Sequence, residues 1–181
     1  MQSNNFDYLF TTSVCPSKRF SYEFLDKTNY QEINKIFEND DNPFTEKFYR
    51  DKTELEKYFE MYQKSIILRG RDWLVKSIEN KTYVGVFHLF DLSRETVNNR
   101  NKRCSIGFAI KPESRRKYYA SELIVHFTDY IFHNLPIEKI LAYTDKDNIA
   151  VCNLLKNLNF IYNIDDYYFS DTTHHFELLK K

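Results

Sequence analysis

The stretch Arg103–Phe127, RCSIGFAIKPESRRKYYASELIVHF, decides the fold. It reads as a short strand, a basic loop and an amphipathic helix. Ala120, Leu123, Ile124, Phe127, Tyr130 and Ile131 recur at the three, four and seven spacing of one apolar helix face, and Pro136 stops the helix beyond Asn134. Arg115, Arg116 and Lys117 stand just before the first turn. Free backbone N–H groups and the positive end of the helix dipole favour an anion there, and three cations add charge. The same residues read equally well as a solvated charge run before a surface helix.

The elements on either side alternate in type. Phe20, Tyr22 and Phe24 alternate with Arg19, Ser21 and Glu23, the period of a half-buried strand. A helical pattern starts at Asp26, with Tyr30, Ile33 and Phe37 on one face, and ends at the turn residues of NDDNPF. Leu55, Tyr58, Phe59 and Tyr62 mark a second helix. After Gly70, two paired strands are predicted over Trp73–Ile78 and Tyr83–Leu89, and Cys104–Lys111 is a third strand of this set. Lys139–Thr144 reads as a further strand, and Asn148 caps a helix carrying Ala150, Val151, Leu154, Leu155 and Leu158 on one face. Two aromatic-rich strands are predicted at the end, over Phe160–Phe169 and His174–Leu179.

The 181 residues suit a single domain built around one core. Its 26 acidic and 26 basic residues cancel, so no overall field concentrates nucleic acid or anionic membrane. The mixture of basic and aromatic residues over Lys102–Tyr119 raises an RNA-binding reading, against which stand the neutral charge and the lack of an RNP-type pattern. Cys15, Cys104 and Cys152 are far apart and lack metal-ligand spacing, which argues against a disulfide framework or a zinc site and fits a reducing cytosol. His174 and His175, adjacent in a strand, point to opposite faces and cannot easily share one ion, so no metal is expected. The N-terminus has no signal-peptide pattern, and no window approaches the roughly 20 apolar residues of a membrane span. A cytoplasmic protein without membrane or nucleic-acid partners is expected.

Taken in order, these segments resemble the GNAT superfamily of acyl-CoA-dependent N-acetyltransferases, closest to the branch of ribosomal-protein alanine and spermidine acetyltransferases. TYVGVFHLF around Gly85 is similar to that branch's glycine-bearing strand. CSIGFAIKPESRRKYYASELIVHFTDYIF resembles its cofactor strand, pyrophosphate loop and helix, and DKDNIAVCNLLKNLNF its later asparagine and helix. The resemblance runs from about Arg19 to the C-terminus and implies one domain over 1–181, with 1–18 as an N-terminal extension. The implied fold is α/β: a mixed, mostly antiparallel twisted sheet of about six to seven strands, helices on both faces, and a splay between the fourth and fifth strands.

Acetyl-CoA is then the implied co-substrate. Backbone groups of Phe108, Ala109 and Ile110 would pair with pantetheine, and a donor near Ala109 would polarise the thioester carbonyl, a role that needs a fixed N–H rather than a particular side chain. Arg115, Arg116, Lys117, Tyr118, Tyr119, Ala120 and Ser121 would hold the pyrophosphate, and Asn148 would face the cleft. The family loop carries glycine where this chain has Tyr118, and glycine there lets backbone approach phosphate. Tyr118 must either point away or narrow the site.

The implied reaction is direct transfer of an acetyl group to a primary amine: a protein N-terminus, a polyamine or a small amino compound. Such transfer needs an acceptor for the amine proton and a donor for the departing thiolate. Relatives use a tyrosine or serine where this chain has Leu155 and Val151. Tyr143, Asp145 and His88 remain as candidates, each also explained as a core aromatic, a turn former or a strand residue. Phe44, Phe48, Tyr49, Tyr167 and Tyr168 suit a pocket wall or an ordinary core. The alternative is a catalytically lapsed member that binds CoA or an acyl-CoA as a sensor or complex component. A monomer or homodimer is expected.

Overall fold

The alternation around Phe20 and the glycine-bearing strand around Gly85 are the first and third strands of a seven-stranded sheet. A computed structural model describes residues 14–91, 102–163 and 172–181, with backbone alone over 62–69. Strand β1 (Phe20–Phe24) leads into helices α1 (Glu32–Phe37), α2 (Lys47–Arg50) and α3 (Lys52–Arg69). Then come β2 (Gly70–Ser77), β3 (Tyr83–Phe90) and β4 (Arg103–Ile110). A 3-10 turn at Pro112–Ser114 precedes α4 (Tyr119–Asn134), followed by β5 (Lys139–Asp145), α5 (Ile149–Asn157), β6 (Ile161–Tyr162) and β7 (Thr173–Leu179). The strand order is β1-β2-β3-β4-β5-β7-β6, and β4–β5 is the parallel pair among antiparallel neighbours.

Alternating side chains give the sheet two buried faces. Phe20, Tyr22, Trp73, Phe87, Cys104, Ile106 and Ile140 pack under α4 and α5, where Leu123, Phe127, Ile131 and Leu155 close one core. Leu74 and Val86 on the other face meet Ile33, Phe37, Tyr49, Leu55 and Phe59 of α1–α3. Local chemistry fixes the helices: Asp51 caps α3 by accepting from the Thr53 and Glu54 N–H groups at 2.8 and 3.1 Å. Gly85 sits where β3 leaves no room for a side chain beside β4; a Cβ there would lie 2.3 Å from the Ala109 carbonyl oxygen.

Some boundaries differ from those read in the sequence. Strand β2 begins at Gly70 because residues 70–72 pair with Phe90, Leu89 and His88. The one-turn helix α2 is too short to leave a periodic signal. The predicted strand Phe160–Phe169 contributes Ile161–Tyr162, and residues 164–169, including Tyr167 and Tyr168, lie outside the described residues. Of the N-terminal extension, Val14 joins the core and the Ser17 hydroxyl donates to Glu122 at 2.8 Å, so the packed unit starts ahead of Arg19. Among the described residues, no helix is long and apolar enough to cross a membrane.

Candidate functional site

The site begins where two strands part. Strands β4 and β5 pair over four residues, from Arg103↔Lys139 to Ile106↔Ala142, and then separate while each continues as a strand. Gly107, Phe108 and Ala109 on one side, and Tyr143 and Thr144 on the other, are half-buried along this opening. The Lys111 N–H donates to the Val84 carbonyl on β3 at 2.8 Å, whereas the Lys102 carbonyl accepts from Glu138 and Lys139 on the β5 side. Backbone groups alternate direction along a strand, so the odd-numbered residues of β4 face β3 and the even-numbered ones face β5. Phe108 and Ile110 therefore turn their N–H groups into the opening, and Ala109 turns its own into the ladder with β3.

The basic loop lies at the end of β4. Arg115 is not displayed to solvent at its mouth. Its Nε donates to the Ile110 carbonyl at 3.0 Å, and its guanidinium forks onto Asp40, with Nη1 3.0 Å from Oδ1 and Nη2 on Oδ2. Burial works to raise the Asp40 pKa; hydrogen bonds from Arg115, Thr45 and the Asn42 N–H outweigh it, and the carboxyl lies below its ordinary value. Arg116 and Lys117 are exposed. Tyr118 adopts the left-handed conformation, φ 59° and ψ 19°, and is 82% exposed, so its ring turns aside rather than filling the loop. Arg19, which the sequence does not single out, reaches the same loop and donates to the Lys117 and Tyr118 carbonyls.

Across the opening, the register aligns chemistry-bearing residues in one row. Asp72 pairs with His88 and His88 with Gly107; Tyr143 pairs with His175. Gly107 and Tyr143 are one step beyond the last β4–β5 pair, so the row Asp72–His88–Gly107, then Tyr143–His175, crosses the sheet where it opens. Its members share the face that α1–α3 cover, since Leu74 and Val86 of the same alternation pack there. Gly107 contributes no side chain; its missing Cβ would stand 3.7 Å from the His88 ring.

His88 is buried and held on both sides. Its Nδ1 lies 2.8 Å from Asp72 Oδ1, close by distance though not aligned as a hydrogen bond. The Tyr58 hydroxyl donates to Asp72 Oδ2 at 2.9 Å. The His88 Nε2 meets the Tyr49 hydroxyl. Burial, followed by the charges of Asp72 and Glu46, pushes that hydroxyl well above its ordinary pKa. A tyrosine that keeps its proton can donate a hydrogen bond to Nε2, which leaves the imidazole proton on Nδ1 beside Asp72. On the other strand pair, the Tyr143 ring stands edge-on to His175 with centroids 4.7 Å apart. Neither Asp72, Tyr49 nor His175 is marked by spacing in the sequence; cross-strand register brings Asp72 to His88 and His175 to Tyr143, and the packing of α2 on the sheet brings Tyr49 to His88.

The remaining candidates take structural places. Asp145 closes the turn after β5, its Oδ1 accepting from the Asp147 N–H at 2.8 Å. Asn148 caps α5 by accepting from the Val151 N–H at 3.4 Å. Leu155 is fully buried. Phe48 stacks on Tyr58, and Phe44 is exposed. His174 sits against Tyr162, on the face opposite to His175.

Comparison with known proteins places this geometry. The chain matches the family model described as acetyltransferase (GNAT) domain over residues 24–161. It is similar to the uncharacterized N-acetyltransferase YoaA of Bacillus subtilis, 28% identical over 106 residues, which are 59% of this chain and 55% of that protein. The matched region thus spans about half the length of that relative. Among solved structures it is similar to the dodecameric spermidine N-acetyltransferase of Vibrio cholerae in an intermediate state, with a TM-score of 0.67 and 17% identity, covering 90% of this chain and 95% of that one. A second is the spermidine/spermine N-acetyltransferase SpeG of Vibrio cholerae in complex with manganese ions, with a TM-score of 0.64 and 18% identity, covering 89% and 92%. At these identities the structural likeness is one of fold. With a parted β4–β5 pair, a helix-start loop beyond it and a model match over most of its length, the chain belongs to the acetyltransferase (GNAT) domain family.

Proposed function

We propose that the protein is an N-acetyltransferase that moves an acetyl group from acetyl-CoA to a primary amine by direct attack in a ternary complex. The observation that carries this reading is the opening between β4 and β5, with the loop Arg115–Ala120 and the start of α4 at its end. Pantetheine would pair with the backbone of Phe108 and Ile110, and one of these two N–H groups would polarise the thioester carbonyl. The pyrophosphate would sit on the N–H groups of Tyr118, Tyr119, Ala120 and Ser121, with Arg116 and Lys117 adding charge. Arg115 and Asn148 hold the loop and α5 in shape through the contacts described above.

The neutral amine attacks the carbonyl carbon, a C–N bond forms and the C–S bond breaks. The amine proton passes to the Tyr49 oxygen as Tyr49 gives its own proton to His88 Nε2, and Asp72 stabilises the imidazolium. Tyr143, half-buried at the edge of the opening, gives its hydroxyl proton to the CoA thiolate. Acidic residues outnumber basic ones about two to one over residues 23–60, which suits a cationic acceptor such as a polyamine. The spermidine acetyltransferases that share the fold make polyamines the first acceptors to test. Catalysis in a cytoplasmic setting fits the cysteine usage.

A second reading, a binder of CoA without chemistry, is favoured by Leu155 and Val151 at the places where relatives carry a proton. Two measurements separate the readings. Ligand at 100 times its dissociation constant adds about 2.7 kcal/mol of stability, so CoA and acetyl-CoA are expected to raise the melting temperature; no shift at millimolar ligand removes both readings. Amine-dependent release of free thiol from acetyl-CoA, across polyamines, peptides with free N-termini and small amines, is expected of the enzyme and not of the binder.

A further inference from the structure

The cofactor loop contains two side-chain-bearing residues in the left-handed conformation, Arg116 and Tyr118, both at φ 59°. Residues with a Cβ resist that conformation, and glycine is the usual occupant. Here an outside group holds the backbone instead. Arg19, the residue ahead of β1, donates from Nη1 to the Lys117 carbonyl at 3.0 Å and from Nη2 to the Tyr118 carbonyl at 3.2 Å. Its Nε donates to Glu122 Oε2 at 2.5 Å, in the first turn of α4. Glu122 also accepts from the Arg19 N–H and from the Ser17 hydroxyl, both at 2.8 Å. The guanidinium lies 4.6 Å from the centre of the Tyr119 ring, which packs edge-on against Phe20.

The direction of these bonds matters. In a trans peptide the N–H points opposite to the C=O of the same unit. Drawing the Lys117 and Tyr118 carbonyls onto Arg19 therefore turns the amides of Tyr118 and Tyr119 to the other side, away from the guanidinium. Arg115 secures the near end of the loop through Asp40 and the Ile110 carbonyl. Both arginines spend their donors on groups of the fold itself, leaving backbone amides and the exposed Arg116 and Lys117 for an anion.

We infer that Arg19 is a positioning residue of the cofactor loop: it presets the Tyr118 and Tyr119 amides toward the pyrophosphate of CoA, replacing the constraint that glycine makes unnecessary. This rests on the acetyl-CoA reading of the loop. Arg19→Lys keeps a positive charge against Glu122, but one ammonium cannot span Glu122 and two carbonyls as the planar fork does.

The test is titration of the full-length protein with CoA by calorimetry, well below the melting temperature, with acetyl-CoA kinetics alongside. Wild-type protein is expected to bind. Arg19→Lys is expected to raise the CoA dissociation constant and the KM for acetyl-CoA about tenfold, with kcat changed less than about threefold. Adding Tyr118→Gly to Arg19→Lys is expected to recover most of that affinity, because glycine holds the left-handed position unaided. The pair Arg19→Met with Glu122→Met, which removes the ion pair without stranding a charge, is expected to show the same rise and covers a Lys variant that fails to fold. Wild-type protein that does not bind CoA overturns both the cofactor reading and this inference. Wild-type binding with unchanged affinity in the Arg19 variants, or a loss that Tyr118→Gly does not recover, overturns the inference alone.

Discussion

Tyr118 carries a glycine's backbone angles with its ring in solvent. The sequence reveals the missing glycine but not its consequence, because the backbone angle depends on Arg19, about a hundred residues away in the chain. The catalytic candidates divide in the same way. His88 and Tyr143 are visible in the sequence as polar residues in strands, whereas Asp72 and His175 gain meaning only from register and Tyr49 only from the packing of α2 on the sheet. Tyr143 gives the sharpest test at this scale. Phenylalanine preserves the edge contact with His175 and removes only the hydroxyl, so a purely packing role predicts near-normal turnover. Proton donation predicts that Tyr143→Phe lowers kcat about 100-fold, the lower end of general acid–base contributions, with KM for acetyl-CoA changed little. Steady-state kinetics with a melting curve to confirm folding decide between the two.

At the scale of elements, β4, which flanks the opening, and β3 behind it meet at two glycines with different neighbours. A Cβ on Gly85 would meet the Ala109 carbonyl at 2.3 Å, and backbone in a central ladder cannot give way without moving β4. A Cβ on Gly107 would meet the rim of the Phe90 ring at 3.0 Å, a side chain that is 38% exposed and able to shift. Gly85→Ala is therefore expected to cost about 1–3 kcal/mol, and Gly107→Ala clearly less. The order reverses for function per folded molecule, because a methyl at residue 107 stands between His88 and the opening. Urea unfolding and turnover of both variants check this; equal stability losses would contradict the difference in neighbours. Most elements were legible because periodicity carries them: α4 and α5 by their apolar faces, β1 by alternation. The parting of β4 and β5 was not, since it is a relation between strands that only the family resemblance suggested.

At the scale of the whole molecule, zero net charge conceals carboxylates that tie distant segments together. Asp40 joins the α1–α2 connection to the loop Arg115–Ala120, and Glu122 joins α4 to the segment before β1. Glu23 joins β1 to β2 and β3 through Lys76 and Tyr83. All three lie below their ordinary pKa. In Glu23 the Tyr83 hydrogen bond leads, whereas in Asp40 and Glu122 burial opposes the shift and is outweighed by arginine and hydroxyl donors. Lowered folded pKa values mean that the unfolded chain binds more protons in acid, so this stability is present above the unfolded carboxylate values near 4 and is lost as pH falls through the folded ones. Tyr22 works in the opposite sense: burial first, then Glu122, push its hydroxyl up to about 12 against the opposing pull of the nearby Ser17 hydroxyl. Its folded value is above the unfolded one near 10, so its contribution is complete below pH 10 and is lost as pH rises toward 12. Urea midpoints are expected to be level around neutrality and to fall below about pH 4 and above about pH 10. Glu122→Gln is expected to flatten the acid limb and Tyr22→Phe the alkaline limb. Glu122's share of the acid limb depends on Arg19 and Ser17, and Tyr22's share of the alkaline limb on the packing of β1 against α4. An acid limb unchanged by Glu122→Gln would show that the Arg19–Glu122 tie adds nothing to folding, and would leave orientation of the loop as its only role.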